Sequence, residues 1–138
     1  ESIERRFGSE VPIRPRLGQG SFRVIVTDAY ERRCAVTGAK ILPILEAAHV
    51  RPYSSGGEHE VGNGLLLRSD VHTLFDRGYL TVTPERHLEV SKRIRDEFHN
   101  GREYYALHGQ PLRRPQQAGQ SLSEENIRWH NERIYLGG

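Results

Sequence analysis

A histidine, an asparagine and a second histidine lie in the middle of the chain at spacings that suit hydrolytic chemistry. His49 ends an apolar run, Asn63 lies fourteen positions later behind a glycine-rich loop, and His72 lies nine positions after that. An imidazole, with an ordinary pKa of about 6.5, can remove a proton from water at neutral pH. A hard cation can polarise a phosphate oxygen and stabilise the charge on a leaving oxygen. The spacing therefore indicates metal-assisted hydrolysis of a phosphodiester.

Each of these residues also has an ordinary structural explanation. Two alanines precede His49 and leave space beside its ring, but a histidine can equally be hydrogen-bonded within a fold. Asn63 lies between two glycines, so its turn propensity competes with a role in binding metal or orienting the loop. His72 and Asp76 are four positions apart and project from one helix face, either as a two-ligand platform for a divalent cation or as a surface ion pair. The case for a site depends on finding them together.

The elements that must position these residues are a strand, a loop, a second strand and a helix. Residues 41–50 form an apolar, strand-like run with a break at Pro43, and residues 51–62 read as a long loop. The run GLLLR at 64–68 predicts a short buried strand. Ser69 is the predicted cap of a helix over residues 70–77, which Gly78 would end. The two histidines would therefore lie on a strand and on a helix.

The flanking segments predict further helices and one β-hairpin. An extended lead-in over 1–20 precedes a helix over 22–32 with Ser21 as its cap. Residues 79–83 and 87–91 alternate as a hairpin, 92–98 predict a helical turn or two, and 104–115 read as irregular chain. After a linker at 116–123, Ser123 would cap a helix to about Arg133, packed through Ile127 and Trp129. Helices and short antiparallel strands in mixed order favour an α+β fold.

Composition narrows the class of protein. At 138 residues and a net charge of +2, the chain suits one small domain, and no apolar run approaches the roughly 20 residues of a membrane helix. The first residues lack an apolar segment, so we expect no signal peptide and a cytoplasmic location. Cys34 is the only cysteine, which excludes a disulfide or multi-cysteine zinc knuckle within one chain. Of the 20 basic residues only Lys40 and Lys92 are lysine; arginine suits phosphate binding, although GC-rich codon usage explains the same bias.

Residues 34–78 resemble the HNH endonucleases, whose ββα-metal (His-Me finger) fold is shared by homing endonucleases, colicin DNases and many restriction enzymes. The resemblance covers the phrase LEAAHVRPYSSGGEHEVGNGLLLRSDVHTLFDRG almost throughout, with RCAVTG before it and GREYYALHG after it. These phrases look like the variant common in bacterial restriction endonucleases. The resemblance implies an α+β fold with a ββα-metal core, flanking helices and a small hairpin. It implies a nuclease domain over 21–115, between a lead-in or linker at 1–20 and a C-terminal linker and helix at 116–138.

The resemblance also implies roles for four residues. His49 takes the place of the general base, with a backbone carbonyl holding its other ring nitrogen. Asn63 takes the place of the central amide, which orients the loop or contributes to the metal site. His72 takes the place of a metal ligand, and Asp76 falls where some members have a further ligand. The implied reaction hydrolyses DNA with one divalent metal ion, Mg²⁺ or Mn²⁺ with Zn²⁺ or Ni²⁺ as other occupants, leaving 5′-phosphate and 3′-hydroxyl ends.

Two departures from the family pattern bear on the metal. Many relatives have a metal-binding Asp or His just before the general base, where this chain has Ala48. Glu46, on the same side of the strand, could bind the metal directly or through water, or could orient His72. Many relatives also brace the fold with a zinc knuckle, whereas here Thr37 stands where a partner of Cys34 would be. We therefore expect no zinc knuckle and a buried, structural thiol at Cys34.

Double-stranded DNA is the implied partner, and three arginines flank the motif. Arg51, Arg68 and Arg77 are the predicted phosphate contacts, which position DNA without reading its sequence. Family analogy favours the cleavage domain of a restriction-type enzyme, with a recognition domain upstream and a homodimer as one way to cut both strands. The alternatives are a stand-alone nonspecific nuclease and a degenerate domain that has lost its metal. Ala48 favours the last of these, and retention of the other motif residues opposes it.

Overall fold

Residues 18–137 are described in the computed structural model of the protein, and within them helices alternate with short antiparallel strands. The elements are α1 (Gln19–Ala29), β1 (Leu45–His49), β2 (Gly64–Arg68), α2 (Ser69–Asp76), β3 (Leu80–Val82), β4 (Leu88–Val90), α3 (Arg93–Phe98), α4 (Arg102–Tyr105) and α5 (Glu124–Arg133). β1 pairs with β2 and β3 with β4, forming two separate two-stranded sheets. This mixed arrangement confirms the α+β class. In the described chain, no helix is both long and apolar enough to cross a membrane.

The β1–β2 hairpin lies between two helices, which explains its continuous apolar sequence. α1 and α2 each contact both strands. Leu65, Leu66 and Leu67 are consequently all fully buried, as expected for a strand covered on both faces. The strands are antiparallel in a register that sets Leu45 opposite Arg68 and His49 opposite Gly64. Because α2 begins directly after β2, it is held against the strand that ends in His49.

Gly64 allows α1 to approach the hairpin at the level of His49. A Cβ atom at position 64 would lie 2.5 Å from Cγ2 of Val26 and 2.9 Å from Cζ of Phe22, closer than such contacts allow. Gly64 has an extended backbone, with φ of −123°, so the requirement for glycine here is steric rather than conformational. The absent side chain therefore lets Phe22 reach the end of β1.

Two of the three predicted helix caps are wrong. α1 begins at Gln19, inside the predicted lead-in, so Ser21 lies within the helix; the amide of Phe22 already donates to the carbonyl of Gly18 at 2.8 Å. The helix ends at Ala29 rather than at position 32, since Glu31 adopts a left-handed conformation with φ of 56°. In α2, Ser69 is the first helical residue rather than the cap, and no side chain caps the helix.

The predictions for the second half of the chain are mostly confirmed. The hairpin and α3 lie where the pattern indicates, and Ser123 caps α5 by accepting from the amide of Asn126 at 3.3 Å. One helical turn, α4, interrupts the segment expected to be irregular. Ile127 is buried as expected, but Trp129 is only half-buried and the second buried residue of α5 is His130.

His130 connects α5 to the end of α2. Its Nε2 lies 3.0 Å from the carbonyl of Phe75, which can only accept, so this nitrogen carries the hydrogen. Its Nδ1 then accepts from the hydroxyl of Thr81 at 2.7 Å, and Asn131 donates to that same hydroxyl oxygen at 2.9 Å. Burial lowers the pKa of His130 to about 4, which keeps the ring neutral. This arrangement holds the helix end where Asp76 lies.

Cys34 is the buried structural thiol that the sequence predicts. Its sulfur accepts hydrogen bonds from the backbone amides of Thr37 and Arg68, each at 3.3 Å, and the side chain is fully buried and unbridged. The turn after Cys34 closes through Gly38, with φ of 76°. Backbone hydrogen bonds and packing therefore hold this turn against β2.

Candidate active site

His49, His72 and Asp76 line one surface cavity of about 830 Å³. β1 supplies the first of them and α2 the other two. The ring of His49 stacks on that of Phe22, with centroids 4.1 Å apart and planes within 6°. Burial, followed by the neighbouring charge of His59, lowers the pKa of His49 below its ordinary value. The imidazole is therefore mostly neutral at pH 7 and able to accept a proton.

The structure also brings His59 to the site, although nothing in its sequence context predicts a role for it. Nε2 of His49 and Nδ1 of His59 are 2.9 Å apart, within hydrogen-bond distance. The ring of Tyr53 stacks on that of His59, with centroids 4.6 Å apart and planes within 5°. The backbone carbonyl expected to hold His49 has no counterpart within residues 18–137. His59 was missed because it lies in a loop whose path the sequence does not predict.

Asn63 is fully buried and joins the two ends of the β1–β2 loop. Its Oδ1 accepts from the amide of Arg51 at 2.9 Å, while its Nδ2 donates to the carbonyls of Arg51 at 2.9 Å and Glu58 at 3.0 Å. These bonds use both amide hydrogens. The geometry matches the loop-orienting alternative for Asn63, since the loop it closes carries His59.

His72 lies between two carboxylates. Its Nδ1 is 2.6 Å from Oε1 of Glu46, on β1, and its Nε2 is 3.1 Å from Oδ2 of Asp76, one helical turn away. The bond with Asp76, and then the bond with Glu46, raise the pKa of the His72 imidazole. Because the two ring nitrogens point in different directions, the two carboxylates lie at opposite ends of the ring.

A metal-binding donor set is only partly assembled. Within residues 18–137, no group of three or more His, Cys, Asp and Glu side chains is arranged to hold a metal ion. Ala48 is fully buried and offers no ligand. Two ligand atoms at right angles around an ion, each about 2.1 Å from it, lie about 3 Å apart. Nε2 of His72 and Oδ2 of Asp76 have this separation, at 3.1 Å, so this pair fits a divalent cation that takes its other ligands from water and substrate.

The three predicted DNA-binding arginines are in different environments. Arg51 donates to the carbonyl of Ser55 at 2.9 Å, and its guanidinium lies 5.4 Å from the ring centroid of Trp129. Arg68 forms two bonds to Asp70, at 2.7 and 2.9 Å. Arg77 is exposed at the end of α2, and its charge acts on Tyr79.

A fourth arginine, which the sequence analysis did not select, lies at the cavity. Arg23 is an exposed residue of α1 and lines the cavity beside Phe22. Its position depends on how α1 packs on the hairpin. A helical sequence pattern does not predict that this edge of α1 meets His49.

Comparison with known proteins shows what this part of the chain is similar to. Residues 34–83 match the family model described as HNH endonuclease, and this range contains all four motif residues. The match confirms the resemblance inferred from the sequence.

One solved structure is similar along most of the chain. It is titled "Modification dependent TagI restriction endonuclease"; the similarity has a TM-score of 0.56 at 23% identity and covers 94% of this chain and 42% of that one. At this identity the likeness shows the fold. The chain thus spans less than half the length of that enzyme. No curated protein matches the chain.

Proposed function

We propose that this chain is a metal-dependent DNA endonuclease domain with a ββα-metal core formed by β1, β2 and α2, and that it is the cleavage domain of a restriction-type enzyme. The observation that carries the proposal is that a neutral imidazole, His49, lines the same cavity as the His72–Asp76 pair. Hydrolysis needs a proton acceptor next to an electrophile. His49 would be the acceptor, and His72 and Asp76 would hold the cation that supplies the electrophile. The match of residues 34–83 to the HNH endonuclease family supports the same chemistry.

In this proposal His49 accepts the proton of the attacking water. The new oxygen–phosphorus bond forms as the bond to the 3′ oxygen breaks, which leaves a 5′-phosphate and a 3′-hydroxyl. Burial supports this role because it keeps the pKa of His49 below its ordinary value. Asn63 acts by keeping the β1–β2 loop closed around the site.

His72 and Asp76 would hold the divalent cation, Mg²⁺ or Mn²⁺. When bound, the cation would polarise a phosphate oxygen and stabilise charge on the leaving oxygen. We assign Glu46 the orienting role rather than direct binding. It accepts from Nδ1 of His72, and a carboxylate on the far nitrogen is the usual partner of a metal-binding histidine.

DNA is the proposed substrate, and the exposed arginines at the site are the proposed phosphate contacts. Arg77 and Arg23 are exposed, whereas Arg51 and Arg68 would have to exchange contacts within the fold to bind DNA. The similar enzyme's title names modification dependence, and that chain is more than twice the length of this one. We therefore propose that sequence or modification recognition lies in another domain, with the residues that precede α1 as the tether, and that cutting both strands involves a homodimer.

Cleavage of supercoiled plasmid tests the proposal. The purified chain is incubated with plasmid and with Mg²⁺, Mn²⁺ or EDTA, beside His49→Ala and, as a surface control, His87→Ala. We expect metal-dependent nicking that His87→Ala retains and that His49→Ala lowers by about 10²- to 10⁴-fold, the usual share of general-base catalysis. Full cleavage by His49→Ala, or cleavage in EDTA, would contradict the assignment. Cutting of unmodified plasmid without preference would favour a stand-alone nonspecific nuclease.

A second candidate is a DNA-binding domain that does not cleave. It is favoured by Ala48 and by the lack of a three-ligand group within residues 18–137. Mobility-shift assays separate the candidates. DNA binding without cleavage of modified or unmodified DNA, in the presence of either metal, would support this second function.

A further inference from the structure

His59 forms a pair with the proposed base that no motif accounts for. Its Nδ1 lies 2.9 Å from Nε2 of His49. The outer faces of the pair are covered by Phe22, stacked on His49, and by Tyr53, stacked on His59. Phe22 and Tyr53 therefore hold the planes of the two imidazoles, which keeps the two rings in contact.

Only one arrangement of hydrogens in this pair leaves a usable base. A neutral imidazole has one N–H donor and one acceptor nitrogen. If His59 donates, Nε2 of His49 is occupied as an acceptor and its Nδ1 already carries a hydrogen. If His49 donates through Nε2, its Nδ1 keeps a free lone pair. No residue within 18–137 pairs with that Nδ1, which leaves it for water.

We propose that His59 is a positioning residue: its Nδ1 accepts the hydrogen of His49 Nε2 and so holds His49 in the tautomer whose Nδ1 accepts the proton of the attacking water. The inference rests on the proposed nuclease function. His59 thereby takes the place of the backbone carbonyl expected for the family. When Nδ1 of His49 takes a proton from water, the resulting imidazolium keeps its hydrogen bond to His59.

Two substitutions of His59 separate the effect of its acceptor nitrogen from that of its ring. His59→Asn places an amide oxygen near the position of Nδ1. His59→Phe keeps a ring for Tyr53 to stack on but has no acceptor. We expect kcat to fall about 10- to 100-fold in His59→Phe with KM unchanged, the usual effect of losing an orienting partner, and to stay within about threefold in His59→Asn.

Nitrogen-15 NMR of the metal-free protein measures the tautomer without relying on cleavage. Long-range proton–nitrogen spectra at pH 8, assigned with His49→Ala, should show the hydrogen of His49 on Nε2 in the wild type and in His59→Asn. That preference should be weaker in His59→Phe. A hydrogen on Nδ1 of wild-type His49, or equal loss of activity in the two folded His59 variants, would overturn the proposal.

Circular dichroism establishes folding, and the wild-type spectrum decides the tautomer even if a variant is unfolded. If the wild type cuts no DNA with any metal, the proposed function fails, while the NMR result still decides the role of His59. The two failures are therefore distinguishable.

Discussion

Replacing Gly64 with alanine tests whether the approach of α1 to the hairpin positions the base. The new Cβ would lie 2.5 Å from Cγ2 of Val26 and 2.9 Å from Cζ of Phe22. Both atoms belong to fully buried side chains, so α1 has to move outward by several tenths of an ångström. Because Phe22 stacks on His49, the displacement reaches the site.

The expected cost follows from the steric origin of the conflict. An extra methyl group forced into a packed core costs about 1–3 kcal/mol. The backbone at position 64 is extended, so no conformational penalty is added. For a protein of this size the loss lowers Tm by roughly 3–12 °C. We expect DNA cleavage to fall by more than the folded fraction does, since misplacing catalytic groups by an ångström can cost about 10²-fold.

Gly20→Ala is the matched control. Gly20 lies in the same helix, and a Cβ there would meet nothing within 4 Å. Alanine is the better helix former, so this variant should gain up to about 1 kcal/mol in stability where Gly64→Ala loses stability. Urea denaturation and plasmid cleavage measure both effects. If Gly64→Ala matched the wild type in stability and activity, the packing account of this site would be refuted.

Three further predictions concern stability, metal and DNA. The pKa of His130 is lowered to about 4, below its ordinary value of about 6.5. The unfolded chain therefore binds more protons than the folded protein between these two pH values. The free energy of unfolding is highest above about pH 6.5, and about 3 kcal/mol of it is lost as pH falls to 4. Urea denaturation of His130→Gln should show a weaker pH dependence, and an unchanged dependence would contradict this. Asp76→Asn should weaken Mn²⁺ binding by calorimetry at least about tenfold while the exposed control Asp28→Asn does not; equal affinities would remove Asp76 from the metal site. Arg77→Ala should reduce the salt dependence of DNA binding by about one unit of slope, and an unchanged slope would exclude a phosphate contact.

Much of the fold could be predicted because the relevant signals are local. The apolar run of β2, the alternation of the β3–β4 hairpin and the cap at Ser123 each depend on near neighbours in the chain. The caps predicted at Ser21 and Ser69 were wrong, because polar residues suited to capping also occur within a first helical turn. In both cases the helix starts earlier than the pattern indicated.

The amino-acid sequence by itself determined which residues could do chemistry. The spacing of His49, Asn63, His72 and Asp76 is a property of the chain, and residues 34–83 match the HNH endonuclease family over it. Order along the chain also determined that the two histidines lie on a strand and on a helix, with a loop and a second strand between them. These features do not depend on how the helices and strands pack.

Only the tertiary structure decided how those residues are paired. The pairing of Glu46 with His72 joins a strand to a helix, and that of His49 with His59 depends on how a loop of irregular backbone closes. The same packing places the guanidinium of Arg51 over the ring of Trp129, a residue far from it in the sequence. Side-chain pairs of this kind depend on distances in space, which are set by burial and loop closure rather than by spacing in the sequence.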